Sequence, residues 1–241
     1  MSYPLSRLLR ESTQQAHTLA ENTLLMKCFM QGVVAKEPLG QWLSRLYYVY
    51  DALEAELQGS CSDAVGAVCF FGLERRPQLE KDLAFYLGDS WCDRIQPSPK
   101  TIRYVMRIHA IANDTPELLV AHAYVRYMGD LSGGQGLRAV IRSALNLPLG
   151  QGTAFYEFAE LPTVRHRQEF KARYRDALDQ IVLQQANRLQ LAEEANLAFK
   201  LNKNLMQELE PALNAAIGPE QLEQVTHQSR RPAPVAQPVT T

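Results

Sequence analysis

Tyr124-Val125-Arg126-Tyr127-Met128-Gly129-Asp130-Leu131-Ser132-Gly133-Gly134-Gln135-Gly136 packs four glycines into eight residues. The segment nevertheless lies inside a helical pattern. Leu118, Leu119, His122, Val125 and Met128 lead into it, and Leu137, Val140, Ile141 and Leu145 lead out. Each glycine costs a helix about 1 kcal/mol relative to alanine, so the stretch invites an explanation. Three stay open on the residues alone. One is a loop between two helices. A second is a phosphate-binding nest, which is weak because the order is not GxGxxG and no GK[ST] follows. The third is a kinked helix lying against a flat ligand, since removing Cβ lets a planar group reach the backbone. Gly129 and Gly133, four apart, would bare one side, with Asp130 and Gly134 as the adjacent pair.

Outward from this segment, helical periodicity dominates. Trp42, Leu46, Val49, Tyr50, Leu53 and Leu57 form an apolar stripe at the 3.6-residue period. Leu197, Leu201, Leu205 and Leu209 recur every four residues, beside Ala195, Phe199, Asn202 and Met206 on a second face. Strand-like alternation is absent. Pro38-Leu39-Gly40 is expected to close the first helical region, and residues 59–77 to form short helices joined by loops. Gly88 and Gln96–Pro99 mark another connection, and Pro116 suits a first helical turn. A loop at Leu147–Gly152 and a boundary at Pro162 precede a long helix expected over residues 165–186. The final helix should end near Pro211 to Gly218. The reading is an all-α, single-domain fold of seven to nine helices over residues 1–225. A polar, proline-rich tail, expected to be disordered, follows over 226–241.

Lysine plus arginine number 25 and aspartate plus glutamate 26, a net charge of −1, which argues against bulk nucleic-acid binding. Cys28, Cys61, Cys69 and Cys92 show no CxxC or CxxCH spacing, so free and mostly buried thiols in a reducing compartment are expected. No charged-then-apolar leader and no run long enough to span a bilayer are present, which fits a cytosolic protein.

His17 and Glu21 lie four apart on one helical face, and Arg10, seven before His17, shares it approximately. An imidazole held by a carboxylate one turn away suits a metal ligand, and an ordinary surface pair would look the same. His109 and His122 lie on mixed helical faces, His166 sits between Arg165 and Arg167, and His227 falls in the tail. No HExxH or close His/Asp/Glu set points to a protein-held metal.

Two segments together, Gln14-Gln-Ala-His17-Thr-Leu-Ala-Glu21 and Tyr124 to Gln135, resemble the haem oxygenases. Supporting stretches are Leu46–Glu54, Leu83–Tyr86 and Glu117–Ala123, and the resemblance runs from about residue 4 to about residue 212. It implies a helical fold that holds haem b between a proximal and a kinked distal helix. His17 would be the proximal iron ligand and Glu21 its acidic partner. Gly129, Gly133 and Gly134 would lie over the porphyrin. Asp130 would order distal water, with Tyr50, Tyr104, Arg126 and Asn202 as its catalytic polar shell. Arg10, Lys171, Arg175 and Tyr124 would meet the propionates, and Met26, Phe158 and Phe199 would wall the pocket. Arginine at position 10, where the family often has lysine, keeps the charge and alters the hydrogen-bond geometry.

The implied reaction opens haem with O2 at the α-meso carbon to biliverdin IXα, CO and Fe2+. The polar C-terminus is similar to that of the soluble cyanobacterial and plastid enzymes. By that resemblance the electron donor is reduced ferredoxin, the product passes to a bilin reductase serving photosynthetic pigments, and the location is cytosol or plastid stroma. A haem carrier or sensor would keep His17 and the basic residues without needing Asp130 and its shell. A cofactor-free helical interaction protein would leave the glycines unexplained.

Overall fold

Apolar residues every three or four positions can be buried together only on helices, and the computed structural model, which describes residues 3–228, contains helices and no strand among those residues. The amino-terminal helices are α1 (Leu5–Ser12), α2 (Gln14–Glu21), α3 (Leu24–Met30) and α4 (Lys36–Gly59). Next come α5 (Asp63–Gly66), α6 (Arg76–Leu87), α7 (Trp91–Arg94), α8 (Pro99–Asp114) and α9 (Leu119–Leu145). The last are α10 (Val164–Gln180), α11 (Gln185–Gln207), α12 (Glu210–Ile217) and α13 (Pro219–Gln228), with 3-10 turns at Pro116–Leu118 and Ala154–Tyr156.

Two helices act as spines. The α4 stripe from Trp42 to Leu57 is buried along its length and packs on α6 and α8. Each such side chain contributes roughly 1.5–3 kcal/mol on burial. On α11, Leu201, Leu205, Ala195, Asn202 and Met206 are all buried. Both of its expected faces are therefore covered, by α1, α2, α8 and α9 among others. α9 bridges the spines, packing on α4 and on α11. Local chemistry sets several ends. The Ser98 hydroxyl accepts the Thr101 N–H at 3.2 Å, with Pro99 opening α8, and Thr163 does the same for the His166 N–H at 3.1 Å. Left-handed Asn146 (φ 49°) follows α9, and Gly88 (φ 84°) follows α6.

Several sequence expectations are corrected. The glycine-rich segment is neither loop nor nest, because α9 runs through it as one helix. Pro38 and Gly40 do not close a helix. Pro38 sits in the first turn of α4, where no N–H is missed. Arg10 and His17 are on separate helices, since the chain breaks at Thr13 (φ −98°, ψ 0°). The long helix expected to residue 186 stops at Gln180, and the final one, expected to end near Pro211 to Gly218, is broken after Gln207 into α11 and α12, with α13 running beyond its expected end. There are more helices than seven to nine for these reasons. α13 carries residues 226–228 of the expected tail, and the rest of that tail lies outside the described residues. The cysteines are free, but Cys28 is buried while Cys61, Cys69 and Cys92 are exposed. Among the described residues no helix is long and apolar enough to cross a membrane.

Candidate active site

A carboxylate in a protein interior demands partners, and Asp130, on the covered side of α9, has them. It is 6% exposed. The Tyr50 hydroxyl of α4 donates to its Oδ2, and Arg126, one turn earlier on α9, places Nη2 3.7 Å from its Oδ1. Arg126 Nε donates to the Tyr50 oxygen at 3.1 Å, and its Nη1 donates to Asn202 Oδ1 of α11 at 2.5 Å. Three helices thus meet in one charge-assisted network. Burial pushes the Asp130 carboxyl upward, against the pull of Arg126, the Tyr50 hydroxyl and Arg75. Tyr104 stands one step removed. Its hydroxyl is 3.4 Å from His122 Nδ1 rather than on Asp130, and burial pushes it up to about 12.

The adjacent face of α9 is open. Gly129 and Gly133 are exposed, and a Cβ at either would meet no heavy atom within 4 Å. Gly134 is different: it is buried, and a Cβ there would stand 3.2 Å from the Tyr156 ring. Its missing side chain makes room for the Tyr156 ring. Ser132, between the open glycines, accepts from Lys171 Nζ of α10 at 3.4 Å. Arg175 lies one turn beyond Lys171, and Arg175 and Arg10 both act electrostatically on half-buried Tyr124. The four expected propionate-side residues are therefore drawn together, although Arg10 arrives on α1.

His17 is 55% exposed, with Nδ1 3.4 Å from Glu21 Oε2. Its ring meets that of Phe199 edge-on at 5.6 Å. Phe199 and Asn202 are three apart on α11, so this one helix supports the imidazole and the buried network within a single turn. Met26, half-buried on α3, packs on the core. Phe158 is not a free wall. It is 4% exposed, and the Arg75 guanidinium covers its ring at 3.9 Å. Among the described residues no group of three or more His, Cys, Asp or Glu side chains could hold a metal ion. An exposed imidazole with a free Nε2, a bare helix face and a cluster of cations instead fit an iron carried in a flat, anionic macrocycle.

Sequence reasoning missed a second set of buried charges. Glu194 of α11 lies 2.9 Å from His122 Nε2 and accepts from Arg107 Nε at 3.0 Å. Burial raises its carboxyl, but the hydrogen bonds to His122 and Arg107 outweigh this and hold it down at about 2. Glu54 accepts the N–H groups of Arg75 at 2.5 Å and Arg76 at 3.2 Å, and Asp82 accepts those of Ala154 and Phe155, both at 2.8 Å. Burial raises Glu54 to about 7 and Asp82 to about 6.

Helices and site together define an all-α protein of the haem-oxygenase fold. The structure matches heme oxygenase-2 from Synechocystis sp., solved in complex with heme and NO, with a TM-score of 0.92 and 48% identity, covering 96% of this chain and 95% of that one. It matches heme oxygenase-1 from the same organism, solved in complex with heme, at 0.85 and 40% identity, covering 92% and 100%. The profile of the heme oxygenase family matches residues 3–208. Curated relatives include Heme oxygenase 2 of Synechocystis sp., 50% identical over 94% of this chain and 91% of its own length. Heme oxygenase 1 of Nostoc sp. is 45% identical over 90% and 91%. The chain belongs to the heme oxygenase family.

Proposed function

We propose that this protein binds haem b and opens it oxidatively at the α-meso carbon, consuming O2 and releasing biliverdin IXα, CO and Fe2+. Haem, when bound, supplies the oxygen-activating iron and is itself the substrate. The chain supplies grip, orientation and protons. His17 would offer Nε2 to the iron, with Glu21 3.4 Å from Nδ1 and Phe199 against the ring edge. Gly129 and Gly133 let the plane of the macrocycle rest on the α9 backbone. Arg10, Lys171 and Arg175 would pair with the two propionates and so orient the macrocycle. Asp130 accepts hydrogen bonds from distal waters, and Tyr50, Arg126 and Asn202 keep that carboxylate from turning away.

The observation that carries this reading is the Tyr50–Asp130–Arg126–Asn202 network. A haem carrier has no use for a buried carboxylate held from three helices. Electrons come from reduced ferredoxin, an acidic carrier suited to α10, which exposes Arg165, Arg173 and Arg175. A bilin reductase takes the product, and the site of action is the cyanobacterial cytosol or the plastid stroma. The test is to add haem, ferredoxin, its reductase and NADPH under air. Decay of the Soret band with equimolar CO and biliverdin IXα is expected. Stable haem binding with no CO would favour the carrier.

A further inference from the structure

A buried guanidinium without a carboxylate bonded to it needs another reason to be there, and Arg75, just before α6, is 2% exposed. Its donors go to main-chain carbonyls: Leu73 at 2.8 Å, Gly72 at 3.1 Å, Phe155 at 3.2 Å and Glu157 at 2.7 Å. The same segment is caught from the other polarity by Asp82 of α6, through the Ala154 and Phe155 N–H groups. An arginine and an aspartate thus clamp the 154–157 turn, one at its carbonyls and one at its amides.

That turn lies behind the reacting side of α9. Tyr156 fills the space next to Gly134, and its carbonyl accepts from Gln135 Nε2 at 2.8 Å. Phe155 meets the Tyr50 ring edge-on at 5.5 Å. Tyr50 is the residue whose hydroxyl donates to Asp130. Arg75 also acts electrostatically on Asp130 and Tyr50, as a fixed positive charge behind the network.

We propose that Arg75 is a positioning residue for the ring-opening reaction: it fixes the 154–157 turn so that Phe155 and Tyr156 hold Tyr50 and α9 in register, and it sets a cation behind the Asp130 carboxylate. This rests on the reading of Asp130 given above. Arg75 touches neither substrate nor reacting atoms, and it acts through backbone placement and field. Misplacement of a reacting group by about an ångström lowers turnover by up to about a hundredfold.

The experiment compares Arg75→Lys, which keeps the charge and loses the planar fork, with Arg75→Met, which loses both. Leu79→Ala, a cavity in the core face of α6, serves as a control matched for loss of melting temperature. Both Arg75 variants should lower kcat by about tenfold or more while haem affinity and the His17-ligated absorption spectrum stay unchanged, and Leu79→Ala should keep its kcat. In protein without haem, the 13C carboxyl signal of Asp130, assigned by its absence in Asp130→Asn, should titrate at higher pH in Arg75→Met than in Arg75→Lys. Unchanged kcat in both variants, an equal loss in Leu79→Ala, or one titration curve for both Arg75 variants would overturn the proposal. If the unsubstituted protein opened no haem, the functional reading would fall, and the carboxyl titration would still report on Arg75.

Discussion

Asp130 and Gly129 are neighbours in sequence on adjacent faces of α9, one buried and one exposed, and they make opposite predictions. Replacing Asp130 with alanine or asparagine removes the acceptor proposed to order distal water. Haem should still bind with a His17–iron spectrum, while biliverdin formation falls by about 10²–10⁴-fold. Full ring opening by a folded, haem-loaded Asp130→Asn would show that the carboxylate merely supports the helix. Gly129→Ala should instead stabilise the protein, by about 1 kcal/mol, because alanine favours helix and its Cβ meets nothing. The same methyl group would stand between backbone and macrocycle, so haem affinity should drop. Denaturant titration and haem titration of the same preparation check both halves, and unchanged affinity would remove the ligand explanation for the open glycines. Gly134→Ala separates the roles, since its Cβ presses on Tyr156 at 3.2 Å. Much of this was legible in the sequence, because four glycines in a helical register are costly and a motif names their neighbours. The partnership of His122 with Glu194 was not. Those residues are 72 apart in the chain, and neither lies in a segment whose spacing announces a pair.

α10 brings Lys171 and Arg175 to one face, one turn apart, and under the proposed function these charges set how the macrocycle sits in its plane. Charge-assisted contacts contribute roughly 1.5–3 kcal/mol each, enough to favour one in-plane orientation over another. Replacing both residues with uncharged ones should therefore yield some biliverdin other than the IXα isomer. Chromatography of the pigment decides it, and a pure IXα product from the double variant would exclude these cations from setting the site of cleavage. Helix boundaries were less readable than helix existence. The break between α10 and α11 runs through Ile181-Val182-Leu183-Gln184, with no glycine or proline to signal it. Conversely, Pro38 reads as punctuation and is absorbed into the first turn of α4.

Across the whole molecule, buried carboxyls of opposite tendency shape the dependence of stability on pH. Glu194, held at about 2 against an ordinary 4.5, contributes stability above pH 4.5, and this is lost as pH falls toward 2. Glu54 and Asp82, raised to about 7 and about 6, work the other way. Their folded forms hold protons that the unfolded chain releases between about pH 4 and 7, so stability declines as pH rises through that window. Glu194→Gln should cost about 1–3 kcal/mol near pH 6 and flatten the acid limb. Glu54→Gln should flatten the decline from pH 4.5 to 7. Urea unfolding at a series of pH values measures each slope, and a Glu54→Gln curve parallel to that of the unsubstituted protein would refute its part.

The break at Thr13 has a mechanical meaning. Arg10 belongs to α1, which Ser6 ties to Asp179 of α10 through both its N–H at 2.8 Å and its hydroxyl at 2.9 Å. His17 belongs to α2, which leans on α11 through Phe199. The residues proposed to meet the iron and the propionates therefore sit on two helices joined at a single buried threonine, whose hydroxyl donates to the Leu9 carbonyl at 2.7 Å. A continuous helix would fix the span between them once and for all. With the break, the distance between residues 10 and 17 is set by the backbone at Thr13 and not by helical rise, so a substitution at position 13 would change that distance without altering Arg10 or His17.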